Sequence, residues 1–353
     1  MKVRSNLSLV IIFYIVVSLI GIANMSEAAE KVIDLSFSNH FPAGHFMSNF
    51  YEKWGREIEM KTGGKVKITF HHGGTLTSPI ECYQGIVNGI SDMGLSCLAY
   101  TRGRFPLMEV LDLPGYPTFS PRLTTHVTWE FYKKFRPKEL EDVHVLQLHA
   151  HIPGIIAFKN KSIKTLEDLR GLKIRCTGLS AKIVKTLGAI PVAMSKLEQY
   201  ESLQRGVVDG STAAPNEMNA YKLAEVSKYS VIHPPVGYVT VFFNVMNLKR
   251  WNSLPKEVQK VFTDVSEKYI EYIGEEWERA EKEGAQFGKQ AGHQFYILPL
   301  QEGLRWEKLA VTPLIDNYIK DMEKKGLPGK EAIEYRKQLC EKYKGIYPSI
   351  RVD

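Results

Sequence analysis

"KSIKTLEDLRGLKIRCTG", residues Lys161 to Gly178, decides how this chain is read. A charged opening passes into the short strand Leu172-Lys173-Ile174-Arg175, the chain turns at Thr177-Gly178, and a helical pattern begins at Ser180. A strand heading into a core thus ends on an arginine. Ligands of open α/β sheets collect outside the carboxyl ends of strands, and a guanidinium fork suits a carboxylate. The helix start that follows adds partial positive charge. Arg175 is therefore read as aimed at an anionic ligand, in preference to snorkelling into solvent beside Lys173.

The surroundings alternate strand and helix. "KVIDLSFSNHF" gives a buried strand, and Phe46, Phe50, Trp54 and Ile58 follow at helical spacing, closed by Gly63-Gly64. "KVKITFHHGG" is a second strand, and "SPIECYQGIVNGISDMGL" a helix that leads into "MGLSCL". "RLTTHVTWEFYKKF" is helical, and "VHVLQLHAHIPGIIAF", broken at Pro153-Gly154, is a first crossing between domains. The second unit runs through "LKIRCTG", "SAKIVKTLGA", "IPVAM" and "KLEQYESLQRGVVDG", and "HPPVGYVTVFFNVMNL" is the return crossing. From Pro255 to about Gly292, Val258, Phe262, Val265, Tyr269, Ile273 and Trp277 keep three-four spacing, with only Gly274 and Gly284 mid-run. At ~1.5 Å per residue such a helix spans ~50 Å, more than one small domain. The expected fold is α/β: two periplasmic-binding-protein-like lobes, a hinged cleft, and one long helix lying across both. The boundaries follow as 1–28 signal peptide, 29–150 lobe I, 151–236 lobe II, 237–280 the return into lobe I, and 281–353 lobe II with the C-terminal helices.

The chain's 353 residues suit two such lobes. Its net charge of +7 is spread among acidic residues, without the basic blocks of a nucleic-acid binder. "MKVR" followed by "LSLVIIFYIVVSLIGIA", with Ser26 and Ala28 at small-residue positions, reads as a cleaved export signal. The expected location is the periplasm, with no membrane insertion after cleavage. Cys82, Cys97, Cys176 and Cys340 form no metal-type pair and read mostly as buried thiols, one disulfide being possible. His71-His72 lacks a third ligand, so neither metal nor cofactor is expected. No G-x-S-x-G elbow, P-loop or dinucleotide fingerprint is present, so an enzyme is not expected.

The order of these pieces resembles the extracytoplasmic solute-binding subunits of TRAP transporters, the DctP-type family. The resemblance rests on "TGGKVKITFHHGGTL", "MEVLDLPGYP", "IKTLEDLRGLKIRCTG", "LGAIPVAM", "YESLQRGVVDG" and "YKLAEVSKYS", in that order along the chain. It implies a protein that holds a small organic acid between two lobes and delivers it to membrane subunits of the transporter, with the arginine at Arg175 paired to the ligand carboxylate. A ligand sensor for a signalling partner is the alternative, and an exported enzyme a more distant one. Two departures from the family pattern point to a monocarboxylate with an apolar or weakly polar body. Ile155 and Ile156 stand near where a second arginine is common, and Ala213 stands in place of a ligand-touching asparagine, with Asn216 three residues on.

Other candidate ligand contacts are Asn216, His151, Tyr100, His40 and Phe243, with His149 as a further possible donor. Of Phe242 and Phe243, strand alternation sends at least one ring into the core. Glu217 reads as a solvated helix start, and Glu275-Glu276 as a solvated helix face.

Overall fold

Two sheets account for all strands of the described residues, 32–101 and 103–351 of this computed structural model. The apolar N-terminal run and the expected cleavage site lie outside the described residues. In chain order the strands are β1 (Ile33–Asn39), β2 (Val66–His71), β3 (Met93–Cys97), β4 (Val143–Ala150), β5 (Ile155–Phe158), β6 (Lys173–Cys176), β7 (Ile190–Ala193), β8 (Gly210–Ala213), β9 (Tyr229–Ile232), β10 (Val241–Asn247) and β11 (Gln294–Ile297). The long helices are α1 (Phe46–Lys61), α2 (Pro121–Phe135), α3 (Lys256–Gln290), α4 (Leu300–Lys324) and α5 (Gly329–Lys344).

The first sheet, order β2-β1-β3-β10-β4, belongs to lobe I, and the second, β11-β9-β5-β8-β6-β7, to lobe II. Parallel pairs join consecutive βα units: β1 with β2 and β3, and β6 with β7 and β8. The strands next to each crossing run antiparallel to their neighbours. β10 lies between β3 and β4, and β5 between β8 and β9. Central strands are covered on both faces, so β3 is buried at every position of Met-Gly-Leu-Ser-Cys.

The crossings come at residues 151–154 and 233–240, and they touch each other. Gly154 N donates to Tyr238 O at 2.7 Å, and a Cβ at Gly154 would sit 2.0 Å from the Tyr238 ring. Glycine is required there because no side chain fits between the two strands of the hinge.

Helix α3 is the third connection. It packs against α1 and α2 of lobe I and against Glu217–Ala220 and β11 of lobe II. Its mid-run glycines mark those approaches. A Cβ at Gly274 would lie 3.0 Å from Arg122 Cα on α2, and one at Gly284 would lie 2.3 Å from Pro215 O and 2.4 Å from Asn216 Cα. The segment after residue 281 divides between the lobes. β11 joins the second sheet, whereas α5 returns to lobe I and packs against α2. Buried Arg336 fixes α5 there, donating from Nη1 to Val110 O and Leu113 O and from Nη2 to Pro114 O at 2.7–3.0 Å.

All four cysteines are buried, and none of them forms a disulfide. Among the described residues no helix is long and apolar enough to cross a membrane.

The helix–loop approach at Gly284 has a measurable consequence. A methyl group at that position meets backbone rather than a movable side chain, so Gly284→Ala should destabilise by about 1–3 kcal/mol. Gly274→Ala, with more room, should cost less. Urea unfolding of both variants checks this, and equal midpoints would mean that α3 does not press on lobe II.

Candidate functional site

Between the lobes lies a cavity lined by side chains of both. Arg175, at the carboxyl end of β6, points into it and is 1% exposed. Nε and Nη2 donate to Met194 O at 3.1 and 2.9 Å. Among the described residues no acidic side chain pairs with it, which leaves Nη1 for a ligand. The strand that ends on an arginine therefore carries a buried cation rather than a snorkelling one. The helix after it contributes less than its position suggests. It is short (Ser180–Thr186), and Ser180 Oγ folds back onto Thr177 O and N instead of leaving that turn open.

A second cation stands beside Arg175. Lys196 follows the carboxyl end of β7, and its Nζ lies 2.7 Å from Glu217 Oε1. Glu217 also accepts from Ala214 N at 3.1 Å and from Gln199 Nε2 at 3.0 Å. It is therefore a buried member of the cavity wall and not the solvated helix start expected from its neighbours in sequence. Burial holds Lys196 down at about 8, against the opposing pull of Glu217. Tyr100, expected at the cleft, is there. It comes from lobe I, and its hydroxyl accepts the Lys196 backbone N–H at 3.0 Å across the cleft. That bond leaves the phenol proton available to a ligand.

The remaining wall is aromatic. Phe242 lines the cavity and lies nearly parallel to Trp277 at 5.3 Å and to His40 at 5.9 Å between ring centroids. Phe243, the ring expected at the site, points the other way. It is buried against Tyr83 at 5.4 Å. Adjacent residues of β10 must face opposite sides, and the register pairs Phe242 with His149 and Phe243 with Leu148.

The structure also separates the histidines. His40 and His151 line the cavity, while His149 lies behind Phe242 and accepts a hydrogen bond from Trp277 Nε1 at 3.0 Å. His40 donates from Nδ1 to Leu95 O, and His151 to Ile152 O, which leaves each Nε2 as an acceptor.

Asn216 lines the cavity, but its backbone N and Nδ2 both donate to Glu281 on α3, at 2.8 and 2.7 Å. One N–H of its amide thus fastens lobe II to the long helix, and the other N–H and Oδ1 remain for the cavity. Burial pushes the Glu281 carboxyl up to about 8 against those two bonds.

Burial also keeps the imidazoles around the cleft neutral. His40 and His151 fall to about 4, and His45 and His149 to about 3. Unfolded histidines titrate near 6.5, so each of the four gives stability that is present above pH 6.5 and is lost as pH falls towards 4, at up to ~1.4 kcal/mol per pH unit. His144 and His293, which burial also lowers, act with these four, whereas Glu281, Asp112 and Glu139, whose carboxyls burial raises, act in the opposite direction, so six groups stand against three. The urea midpoint should therefore drop clearly between pH 7 and pH 5. A midpoint that holds or rises would mean that the imidazoles carry charge in the native state.

The chain matches the family model "Bacterial extracellular solute-binding protein, family 7" (DctP) over residues 37–321. A TRAP periplasmic solute-binding protein of Desulfovibrio salexigens is 31% identical with a TM-score of 0.77, covering 89% of this chain and 97% of that one. A marine metagenome TRAP solute-binding protein specific for aromatic acid ligands, solved with 3-hydroxybenzoate, is 28% identical with a TM-score of 0.83, covering 89% of this chain and 99% of that one. The C4-dicarboxylate-binding periplasmic protein DctP of Rhodobacter capsulatus is 30% identical over 44% of this chain and 47% of its own length. The two-lobed fold agrees with these matches: the chain belongs to the DctP family, the solute-binding subunits of TRAP transporters for small organic acids.

Proposed function

We propose that this protein captures a small aromatic monocarboxylate and presents it in the periplasm to the membrane subunits of a TRAP-type transporter. The observation that carries the proposal is the charge of the cavity. Arg175 and Lys196 bring two positive charges, and Glu217 brings one negative. With the cleft imidazoles neutral and Glu281 largely protonated near pH 7, one positive charge remains. One carboxylate balances it. A second carboxylate would be buried without a partner, at a cost of several kcal/mol.

The aromatic part of the proposal rests on the wall formed by Phe242, Trp277 and Tyr238, whose faces suit a flat ring. The acceptor nitrogens of His40 and His151 leave room for a ring hydroxyl. Ile155, near the position where a second arginine is common in the family, is buried in the core of lobe II and adds no second cation. Likeness to the protein specific for aromatic acids supports the same reading.

Thermal-shift screening of benzoate, hydroxybenzoates and mandelate against succinate and malate tests the proposal. An aryl acid at ~100 times its dissociation constant should stabilise by about 2.7 kcal/mol. Stabilisation by the dicarboxylates alone would overturn the charge argument. In calorimetric titration with the best aryl acid, Arg175→Ala should lose roughly 2–5 kcal/mol of binding, about 30-fold to several thousand-fold. Arg175→Lys should also bind more weakly, since a point charge replaces the planar fork. Equal affinity in the three proteins would remove Arg175 from the site.

A further inference from the structure

Glu217 is saturated and Lys196 is not. One carboxylate oxygen of Glu217 takes both Lys196 Nζ and Ala214 N, and the other takes Gln199 Nε2. The ammonium has three N–H donors. Among the described residues only Glu217 receives one of them. A donor buried without an acceptor is costly, and this one stands in the wall of a cavity that also holds Arg175.

The placement of the two cations is built, not incidental. Met194 O holds the Arg175 guanidinium, and Lys196 lies two residues further along the same segment. Ser195 and Glu198 close a capping box there, and the Tyr100 hydroxyl pins the Lys196 backbone from the other lobe. Several interactions thus fix a lysine next to an arginine, where the two repel each other. An anion between them turns that repulsion into attraction.

We propose that Lys196 is a second carboxylate-binding residue, so that the ligand carboxylate bridges Lys196 Nζ and Arg175 Nη1 with the Tyr100 hydroxyl as a third donor. This rests on the reading of the cavity as a carboxylate site, and it makes Lys196 the residue that separates a carboxylate from its neutral amide. It also couples binding to pH. The charged and titratable groups facing Lys196 are Glu217, Arg175 beside it on lobe II, and Cys97 and Tyr100 from lobe I. His40, His151 and, on α3, Glu281 complete the set. Lys196 and Glu281 both titrate near pH 8, whereas the imidazoles titrate near 4. Carboxylate binding favours the protonated amine. Affinity should therefore be flat from pH 6.5 to about 7.5 and fall, up to tenfold per pH unit, as pH rises through 8.

The experiment compares wild type, Lys196→Arg and the double variant Lys196→Met/Glu217→Gln by calorimetric titration with benzoate and, in parallel, succinate, with benzamide as the neutral control. The double variant removes a charge pair that sums to zero, so the cavity keeps its single positive charge. If Lys196 touches the carboxylate, the double variant should bind the acid at least tenfold more weakly, and its preference for acid over amide should shrink by a similar factor. Lys196→Arg should retain binding within a few-fold and show a clearly shallower fall above pH 8, the part that remains being due to Glu281. Wild-type affinity in the double variant, or an unchanged fall above pH 8 in Lys196→Arg, would overturn the proposal and leave Lys196 as the partner of Glu217 alone. Melting curves show whether the double variant is folded, and the pH profile of Lys196→Arg decides the matter if it is not. A wild type that binds succinate and not benzoate would overturn the monocarboxylate reading, while the comparison of variants on succinate still judges Lys196.

Discussion

A guanidinium buried without an acid beside it is the constraint around which this molecule is arranged. Removing an isolated cation from water is expensive, and Arg175 is almost wholly removed. Two of its donors are met by one carbonyl, Met194 O, which supplies dipole but no charge. The surroundings do not neutralise it. Glu217 in the cavity wall is already paired to Lys196, the other cleft carboxylate is held mostly protonated by burial, and the imidazoles stay uncharged. The protein thus keeps one unit of positive charge for a partner from outside.

That deficit also gives closure a physical basis. The two lobes meet through single contacts around the cavity, such as the Tyr100 hydroxyl on the Lys196 backbone and Tyr221 against His45 at 5.3 Å. Each of these contributes about 1 kcal/mol. The permanent connections lie elsewhere: the laced crossings at Gly154 and Tyr238, and α3 seated on Arg122 through Gly274 and on Pro215 through Gly284. One buried hydrophobic cluster also runs from Tyr83 and Val145 of lobe I to Ile174 and Trp306 of lobe II, so the joint between the lobes is itself packed. A ligand can favour the closed state only by its differential affinity for it, and an anion that touches charges from one lobe and a hydroxyl from the other has that property.

Much of this was legible in the chain itself. The alternation of strand and helix, the crossings and the long helix are periodic features, and periodicity survives without coordinates. Arg175 was visible because an arginine at the carboxyl end of a strand runs against the usual pattern. Phe242 and Phe243 show the limit: period two states that neighbours face opposite sides but not which side is the cleft, and only the pairing of β10 with β4 decides it. Glu217 was misread because a glutamate at a short helix start is usually solvated, and nothing local says that Lys196, Gln199 and α3 close over it. Lys196 did leave a trace. Ser195 and Glu198 in "SKLE" form a capping box directly after β7, so the strand-end rule that found Arg175 also points to the lysine three residues past the end of β7.

The neutral histidines complete the argument about selectivity. A protonated imidazole in the cavity would add a positive charge and, on the proposed reading, turn a site for one carboxylate into a site for two. Stacking keeps His40 and His149 against Phe242 and Trp277, in surroundings too dry for charge, so the rings contribute area and acceptor nitrogens only. The glutamate on α3 is held neutral by the same dryness, which prevents it from cancelling Arg175. On the proposed reading, discrimination by number of charges therefore precedes discrimination by shape: the apolar wall proposed to seat the ring would also fix how many carboxylates can enter with it.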